Sequence, residues 1–580
     1  MRSRSVALVG LVALVSATTG VGLAMAAPKE PKPPVIQDGS VVEVQILSLN
    51  DFHGNLEPPA GSSGRVGATL AGGAEYLATH VANLEQANRN TIVVAAGDLI
   101  GATPLLSAAF HDEPTIEAMN QIGLDLSSVG NHEFDEGSTE LLRMQNGGCH
   151  PVDGCADGTG FDGADFQYLS ANVVQESNGE PLFPAYSIEN FHGARVAFIG
   201  MTLEGTPTIV SPSGVAGLDF LDEADTVNAL VPELTRRGVE AIVVLVHEGG
   251  QPNTAANETT INQCPGVSGP IVDITNRLDD EVDLIISGHT HQPYNCVIDG
   301  KPVTSAFSFG RLVTDIDMRV DRSTGDVVTN GITVNNRIIT RDVPLNSELT
   351  ELIAHYLEVV APIRDRPIGN ITADIVQTND DSREQPMGNA IADAQLAATA
   401  GADVGQAVVA FMNPGGVRAG LTYASSSVGE GDGVVTFGEA FTVQPFGNSL
   451  VTMTLTGAQI ETVLEQQFCG VNDTAFRVLL PSAGFHYTWD ASQAALIDPG
   501  CTGDVVSGIT LNGQPLVAGT SYRVTVNSFL ADGGDGFSGL LAGTDRLGGE
   551  VDTDAFEAYL TANTPPGLSP PPTDRIDVVP

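Results

Sequence analysis

The stretch VGNHEFDEG, residues 129–137, sets an amide, an imidazole and three carboxylates within six positions behind a glycine. Hard divalent cations take carboxylate and amide oxygen and imidazole nitrogen, and two cations about 4 Å apart need a shared bridging ligand. Asn131, His132 and Asp135 suit that chemistry. Glu133 completes no HExxH, because position 136 is Glu, so a zinc-protease reading fails and Glu133 is assigned no role. Four more blocks carry similar donors: Asn50-Asp51-Phe52-His53, Gly97-Asp98, His247-Glu248 and Gly288-His289-Thr290-His291. Singly these are weak, since an Asp-x-His in a loop is commonly a turn with a solvated imidazole. GHTH is stronger, because alternate residues of an extended segment face one side.

Each of the four follows a short apolar run: VVEVQILSL (41–49), TIVVAA (91–96), AIVVLV (241–246) and VDLIIS (282–287), with ARVAFIG (194–200) as a fifth. Continuous rather than alternating apolar runs suit strands buried on both faces, as in an α/β sheet covered by helices. Ligands of open α/β sheets gather at the carboxyl ends of the strands, so these blocks are expected to converge although they span 240 positions.

A second region follows residue 340. In SELTELIAHYLEVVAPI (347–363), Leu349, Leu352, Ile353, Tyr356, Leu357 and Val360 recur at three and four, which predicts a linker helix over 346–366 ending near Pro362. Residues 367–545 then read as a second domain, with a helix near 387–400 and strands near 406–412, 450–455 and 522–528. REQPMGN supplies Arg383, and NPGGVR supplies Arg418 beside a backbone-exposing turn; guanidinium forks suit phosphate. PFGN and FLADGGDGF each set a phenylalanine, Phe446 and Phe529, beside glycine-rich turns. Two such rings from separate loops can sandwich a planar base, each stack being worth about 1–3 kcal/mol. Residues 546–580, ending TPPGLSPPPTDRIDVVP, read as a proline-rich tail.

Composition narrows the field. At 580 residues the chain implies two or three domains. Arg2 and Arg4 precede an apolar run ending Ala24-Met25-Ala26, a secretory signal peptide over 1–26, so the mature chain is expected outside the cytoplasm, secreted, periplasmic or at the cell surface. Its removal leaves 23 Lys and Arg against 71 Asp and Glu, or about −48. That field repels nucleic acid and anionic membranes, so neither nucleic acid nor stable membrane insertion is expected, and a phosphate ligand binds only where metal ions or local Arg override it. There is no GxxxxGK[ST], which excludes P-loop chemistry. Six cysteines in an exported chain indicate disulfides. Of the fifteen possible connectivities, sequential pairing closes three local loops: 149–155, 264–296 and 469–501. DGCADGTGFDGAD (153–165) lacks the terminal Glu of an EF-hand and reads as a solvated loop.

Taken together, NDFHG, GD, GNHEFD, the His after a buried strand and GHTH resemble the calcineurin-like metallophosphoesterase superfamily, and with the second domain the chain resembles the secreted 5'-nucleotidase and UDP-sugar hydrolase family over residues 41–545. The resemblance implies an α/β protein: a four-layer α/β/β/α catalytic sandwich over 41–340, the linker helix, and an α/β substrate-binding domain. It implies two divalent ions, zinc or manganese before magnesium, cobalt or calcium. Asp51, His53 and His291 would hold one ion, Asn131, His247 and His289 the other, and Asp98 would bridge them. A hydroxide between the ions would attack phosphorus. His132, oriented by Asp135, would stabilise the transition state and protonate the leaving oxygen. Phe446 and Phe529 would stack on the base, Asp535 would contact the ribose, and Arg383, Asn413, Arg418 and Asn448 would bind the nucleotide's polar groups. The substrate implied is a nucleoside 5'-monophosphate. UDP-sugars, dinucleotides and 2',3'-cyclic nucleotides remain alternatives on the same site, as does a secreted nucleotide-binding protein without turnover. Sites split between two domains imply that productive binding requires domain closure.

Overall fold

The apolar runs form strands whose two faces face different partners. In the computed structural model, Val42, Val44 and Ile46 of strand Val41–Leu49 pack with Val243 and Leu245 of strand Ala241–His247, while Leu47 and Leu49 pack with Leu77, Val81, Ile116 and Met119. On the far side, Ile242, Val244 and Val246 pack with Val227, Val231 and Ile271. Both faces of each strand are therefore buried, which is why the runs do not alternate in polarity. The described residues are 40–580 apart from 60, 211–212, 255, 427–428, 474–475, 495–496, 498–500 and 502–503. The expected signal peptide lies outside them.

The result is helix, sheet, sheet, helix. The first sheet runs Val327–Ile338, Leu312–Asp321, Val41–Leu49, Thr91–Ala96, Leu126–Ser128, Gln167–Leu169, and is covered by helices Ala74–Glu85 and Glu113–Ile122. The second runs Pro293–Ile298, Lys301–Ala306, Leu284–Ser287, Ala241–His247, Ala194–Thr202, Tyr186–Phe191, covered by helices Glu223–Arg236 and Pro270–Arg277. Val41–Leu49 pairs parallel with Thr91–Ala96, and Ala241–His247 parallel with Leu284–Ser287, so the loops after them emerge on one rim.

Helix Ser347–Arg364 follows, its N-terminus capped by the Asn346 side chain, which accepts from the backbone N–H groups of Glu348 and Leu349. Leu349, Ile353, Tyr356 and Val360 are buried against the helices over the first sheet, and Phe437 and Phe441 of the second region pack on the same cluster. The linker is thus a packed element. The second region holds helix Pro386–Thr399 and a five-stranded sheet, Leu480–Pro481, Val409–Met412, Ser521–Asn527, Ser449–Thr456, Thr544–Val551.

The expected tail over 546–580 is a correction. Residues Asp552–Ala562 form a helix, and Ile576–Val579 add a parallel strand to Phe485–Asp490. Arg575 is buried and donates to both Asp393 oxygens at 2.9 and 2.8 Å, while Glu384 accepts from the Arg575 and Ile576 amides. A packed helix, a paired strand and the ion pair of a buried arginine hold this proline-containing segment against the domain. The disulfides are Cys149–Cys155, Cys264–Cys296 and Cys469–Cys501, the sequential pairing. Among the described residues no helix is long and apolar enough to cross a membrane.

Candidate active site

Asp51, His53, Asp98, His289 and His291 all sit at strand ends in left-handed backbone, with φ between 46° and 68°. Such conformations cost side-chain-bearing residues about 1–3 kcal/mol each and persist where surrounding structure over-determines them. Here the backbone of one loop is tied to the next: Asp51 N donates to Gly97 O at 3.0 Å and His53 N to Asp98 O at 3.0 Å. The glycines of the motifs make room for this crossing. A Cβ on Gly130 would lie 2.2 Å from Asp98 Oδ1, and one on Gly97 2.7 Å from His247 Nδ1.

Two donor groups result. Asp51, His53 and His291 offer ligand atoms within 4.8 Å of one another, as do Asp98, His247 and His289. Asn131 joins the second, its Oδ1 being 3.0 Å from His289 Nδ1. Asp98 Oδ2 lies between the groups, 3.0 Å from His247 Nε2 and 3.6 Å from His53 Nε2.

Backbone carbonyls set which ring nitrogens are free. His53 Nδ1 lies 2.8 Å from Gly101 O and His247 Nδ1 2.7 Å from Ala96 O, so each ring donates there and turns Nε2 inward. His53 Nε2 then meets His291 Nε2 at 3.1 Å, and the buried His247 Nε2 faces Asp98 Oδ2. Burial pushes the His53 pKa down to about 3 and that of His289 to about 4, so both are neutral at pH 7 and present lone pairs. For Asp98 burial acts upward, but the histidines around it, His247 first, hold the carboxyl well below its usual range. For His247 burial acts downward, and the carboxylates of Asp98 and Asp51 overcome it, raising the pKa to about 10. Neutral imidazoles at His53 and His289, ionised carboxylates and the inward-turned His247 nitrogen beside Asp98 suit a divalent cation, with no thiolate to narrow the metal.

Two residues at this centre escaped the sequence reading. Glu133 is buried and accepts from the backbone N–H of Asp98 at 2.9 Å, Leu99 at 2.8 Å and Gly130 at 2.6 Å, so it joins the Asp98 and Asn131 loops. Asn50 donates to Asp51 Oδ2 at 2.5 Å and accepts from Ala306 N at 2.7 Å. Both lie inside motif stretches, but only the crossing of loops shows what they hold.

A cleft of about 240 Å³ opens beside the cations' donors, lined on one side by Asn131, His132 and His289 and on the other by Arg418, Phe446 and Phe529. Asn413, Asn448 and Asp535 line it as well. His132 Nδ1 lies 2.8 Å from Asp135 Oδ2, leaving Nε2 for the cleft. Burial acts to lower the His132 pKa, but Asp135 and Asp98 raise it above its ordinary value. Asn413 Nδ2 donates to Asp535 Oδ2 at 2.9 Å. The Asn448 amide oxygen accepts from Ser528 Oγ at 3.1 Å. Arg383 is not among the residues lining the cleft; its guanidinium lies over the ring of Phe476, 5.3 Å from the centroid. The cleft's second arginine is instead Arg477, which no motif signalled.

Residues 44–293 match the calcineurin-like phosphoesterase family model, and residues 367–542 match the 5'-nucleotidase C-terminal domain. The chain is 33 % identical over 498 residues to endonuclease YhcR of Bacillus subtilis (strain 168), an overlap of 84 % of this chain but only 37 % of that protein, so it spans little more than a third of the relative's length. It is 33 % identical over 549 residues to cell wall protein Lmo0130 of Listeria monocytogenes, covering 90 % of this chain and 67 % of the relative. The crystal structure of a 5'-nucleotidase precursor from Thermus thermophilus superposes with a TM-score of 0.72 at 26 % identity, covering 93 % of this chain and 99 % of that one. The chain therefore belongs to the calcineurin-like phosphoesterases that carry a 5'-nucleotidase C-terminal domain, a family of metal-dependent phosphoric ester hydrolases.

Proposed function

We propose that this enzyme removes phosphate from nucleoside 5'-monophosphates. The observation that carries the reading is the shared cleft: His132, with Asn131 and His289 of the second donor group, stands at one wall, and two phenylalanines, Arg418 and Asp535 at the other. A phosphoryl group placed by Asn131 and His289 leaves a base within reach of Phe446 and Phe529, and ribose hydroxyls within reach of Asp535 and Asn413. The acidic chain, with a formal charge of −46, repels such a dianion everywhere else, so Arg418 and the cations make the cleft its place of attraction.

In this scheme Asp51, His53 and His291 would hold one divalent cation and Asn131, His247 and His289 the other, with Asp98 shared. When bound, the two cations supply Lewis acidity to the phosphoryl oxygens and a water of lowered pKa as the attacking group. Asp135 holds the His132 proton at Nδ1, so that Nε2 faces the phosphoryl group. Burial acts to lower the His132 pKa, Asp135 and Asp98 raise it above its ordinary value, and Nε2 is the atom placed to give a proton to the departing nucleoside oxygen. Phe446 and Phe529 exclude water from the base. Because the walls come from both halves, substrate enters while they are apart and is enclosed as they meet. Zinc or manganese is the first choice of metal, and the name of the Listeria relative supports a cell-surface or secreted location.

Phosphate release from AMP, UMP, UDP-glucose, 2',3'-cyclic AMP and p-nitrophenyl phosphate, before and after chelation and metal add-back, tests the reading. Preferential, metal-restored turnover of the monophosphates is expected. Preference for a diester or pyrophosphate overturns the substrate assignment in favour of the second reading, which the endonuclease name of the Bacillus relative supports. No turnover under any metal points to a nucleotide-binding protein.

A further inference from the structure

The sugar end of the cleft contains a cation that none of the family motifs includes. Arg477 lines the cleft together with Asp535, and its Nε lies 3.4 Å from Asp535 Oδ1. Its Nη1 donates to Asn472 Oδ1 at 2.6 Å, and Asn472 Nδ2 in turn donates to the backbone oxygen of Asp535 at 2.8 Å. The other carboxylate oxygen is held by Asn413 Nδ2 at 2.9 Å, and Asn413 is itself fixed by Asn527 Nδ2 at 3.0 Å. Asp535 is therefore gripped at both oxygens and at its main chain, in a left-handed conformation with φ 55°. A buried carboxylate held this way has one remaining lone-pair direction on each oxygen for the cleft.

Two hydroxyl donors side by side match two acceptor oxygens held in one plane. We infer that Arg477 is a positioning residue that fixes Asp535 to accept from both hydroxyls of a ribose cis-diol, and so makes the enzyme discriminate ribonucleotides from 2'-deoxyribonucleotides. The inference rests on the nucleotide reading above and extends it to the sugar. The charge environment agrees: burial pushes the Asp535 pKa up, and Arg477 is the foremost group opposing that rise. A protonated carboxyl would present one donor and lose half of this match. A 2'-deoxyribose offers one donor only and leaves an ionised oxygen without its partner. Hydrogen bonds to charged groups predict a preference of about 10- to 100-fold for that difference.

The experiment compares kcat and KM for AMP and 2'-deoxy-AMP, with p-nitrophenyl phosphate as a sugar-free probe, in the wild type, Arg477→Met and Arg477→Lys. The expected result is a wild-type preference for AMP of about 10- to 100-fold in kcat/KM. Arg477→Met should reduce it to within about 3-fold, through a raised KM for AMP that far exceeds any change on p-nitrophenyl phosphate, and Arg477→Lys should recover part of the preference. A preference unchanged in Arg477→Met, or an equal loss on all three substrates, overturns the inference. A wild type that hydrolyses AMP and 2'-deoxy-AMP alike overturns the inference and leaves the nucleotidase reading standing. A wild type that turns over p-nitrophenyl phosphate and neither nucleotide overturns both.

Discussion

The imidazole of His132 and the ring of Phe446 lie nearly parallel across the junction of the two halves, centroids 5.9 Å apart and planes 18° from alignment. The Arg418 guanidinium stands 5.7 Å from the same ring. Phe446 thus neighbours both His132 and Arg418 as well as lining the cleft. Phe446→Ala is expected to raise KM for nucleoside monophosphates by about 10- to 100-fold, the worth of one base stack, and to affect p-nitrophenyl phosphate less. Steady-state kinetics on the two substrates check this, and equal losses would count against the stacking role.

His132→Ala should bind its metals as the wild type does and lose about 10²- to 10⁴-fold in kcat, the usual share of a positioned general acid. Metal content of the purified variant separates this from collapse of the site. A variant with full turnover would remove His132 from the mechanism.

Glu133→Ala leaves three backbone N–H groups of the ligand loops without their acceptor. Metal affinity is expected to fall by about 10- to 100-fold, as when partners of ligating groups are lost. Chelator competition measures it. Glu133→Gln, which retains one acceptor oxygen, should lie between the two.

Asp283 accepts from Ile242 N at 2.9 Å in the second sheet, and burial raises its pKa from 3.8 to about 7. The folded state therefore keeps a proton that the unfolded state has released, and stability falls as pH rises through the window between those values. Asp283→Asn should match the wild type near pH 4 and exceed it above pH 7. Urea midpoints against pH for the two proteins decide the point, and parallel curves would show that Asp283 ionises without penalty.

Arg575→Ala strands the partly buried Asp393 carboxylate, which accepts from the guanidinium at 2.9 and 2.8 Å. Breaking one partner of a buried pair costs about 3–5 kcal/mol. A urea midpoint within error of the wild type would mean that the 575–579 segment adds nothing to the fold.

The ligand blocks were legible because parallel strands buried on both faces leave continuous apolar runs, and the polar residues that follow must lie on one rim. What the glycines before Asp98 and Asn131 do was not legible: Gly97 and Gly130 let two loops approach closer than a Cβ permits. Glu133 and Arg477 were not legible, since the groups they hold are remote or in another loop and no spacing announces them. Arg383 lies over Phe476, and an arginine in a loop has no periodicity to say where it points. The strand Ile576–Val579 was hidden by flanking prolines, and its partner Phe485–Asp490 lies far back in the sequence.

That strand gives the molecule an order of assembly. The two six-stranded sheets are complete once Ile338 has been made, whereas the sheet holding Phe485–Asp490 waits for Ile576 and the clasp between Arg575 and Asp393. A chain emerging from its amino end can therefore build its cation-binding half first. The residues of the opposite wall of the cleft, Arg418, Phe446 and Phe529 among them, are made later, and residues 575–579 come last of all, so the two walls are not synthesised together.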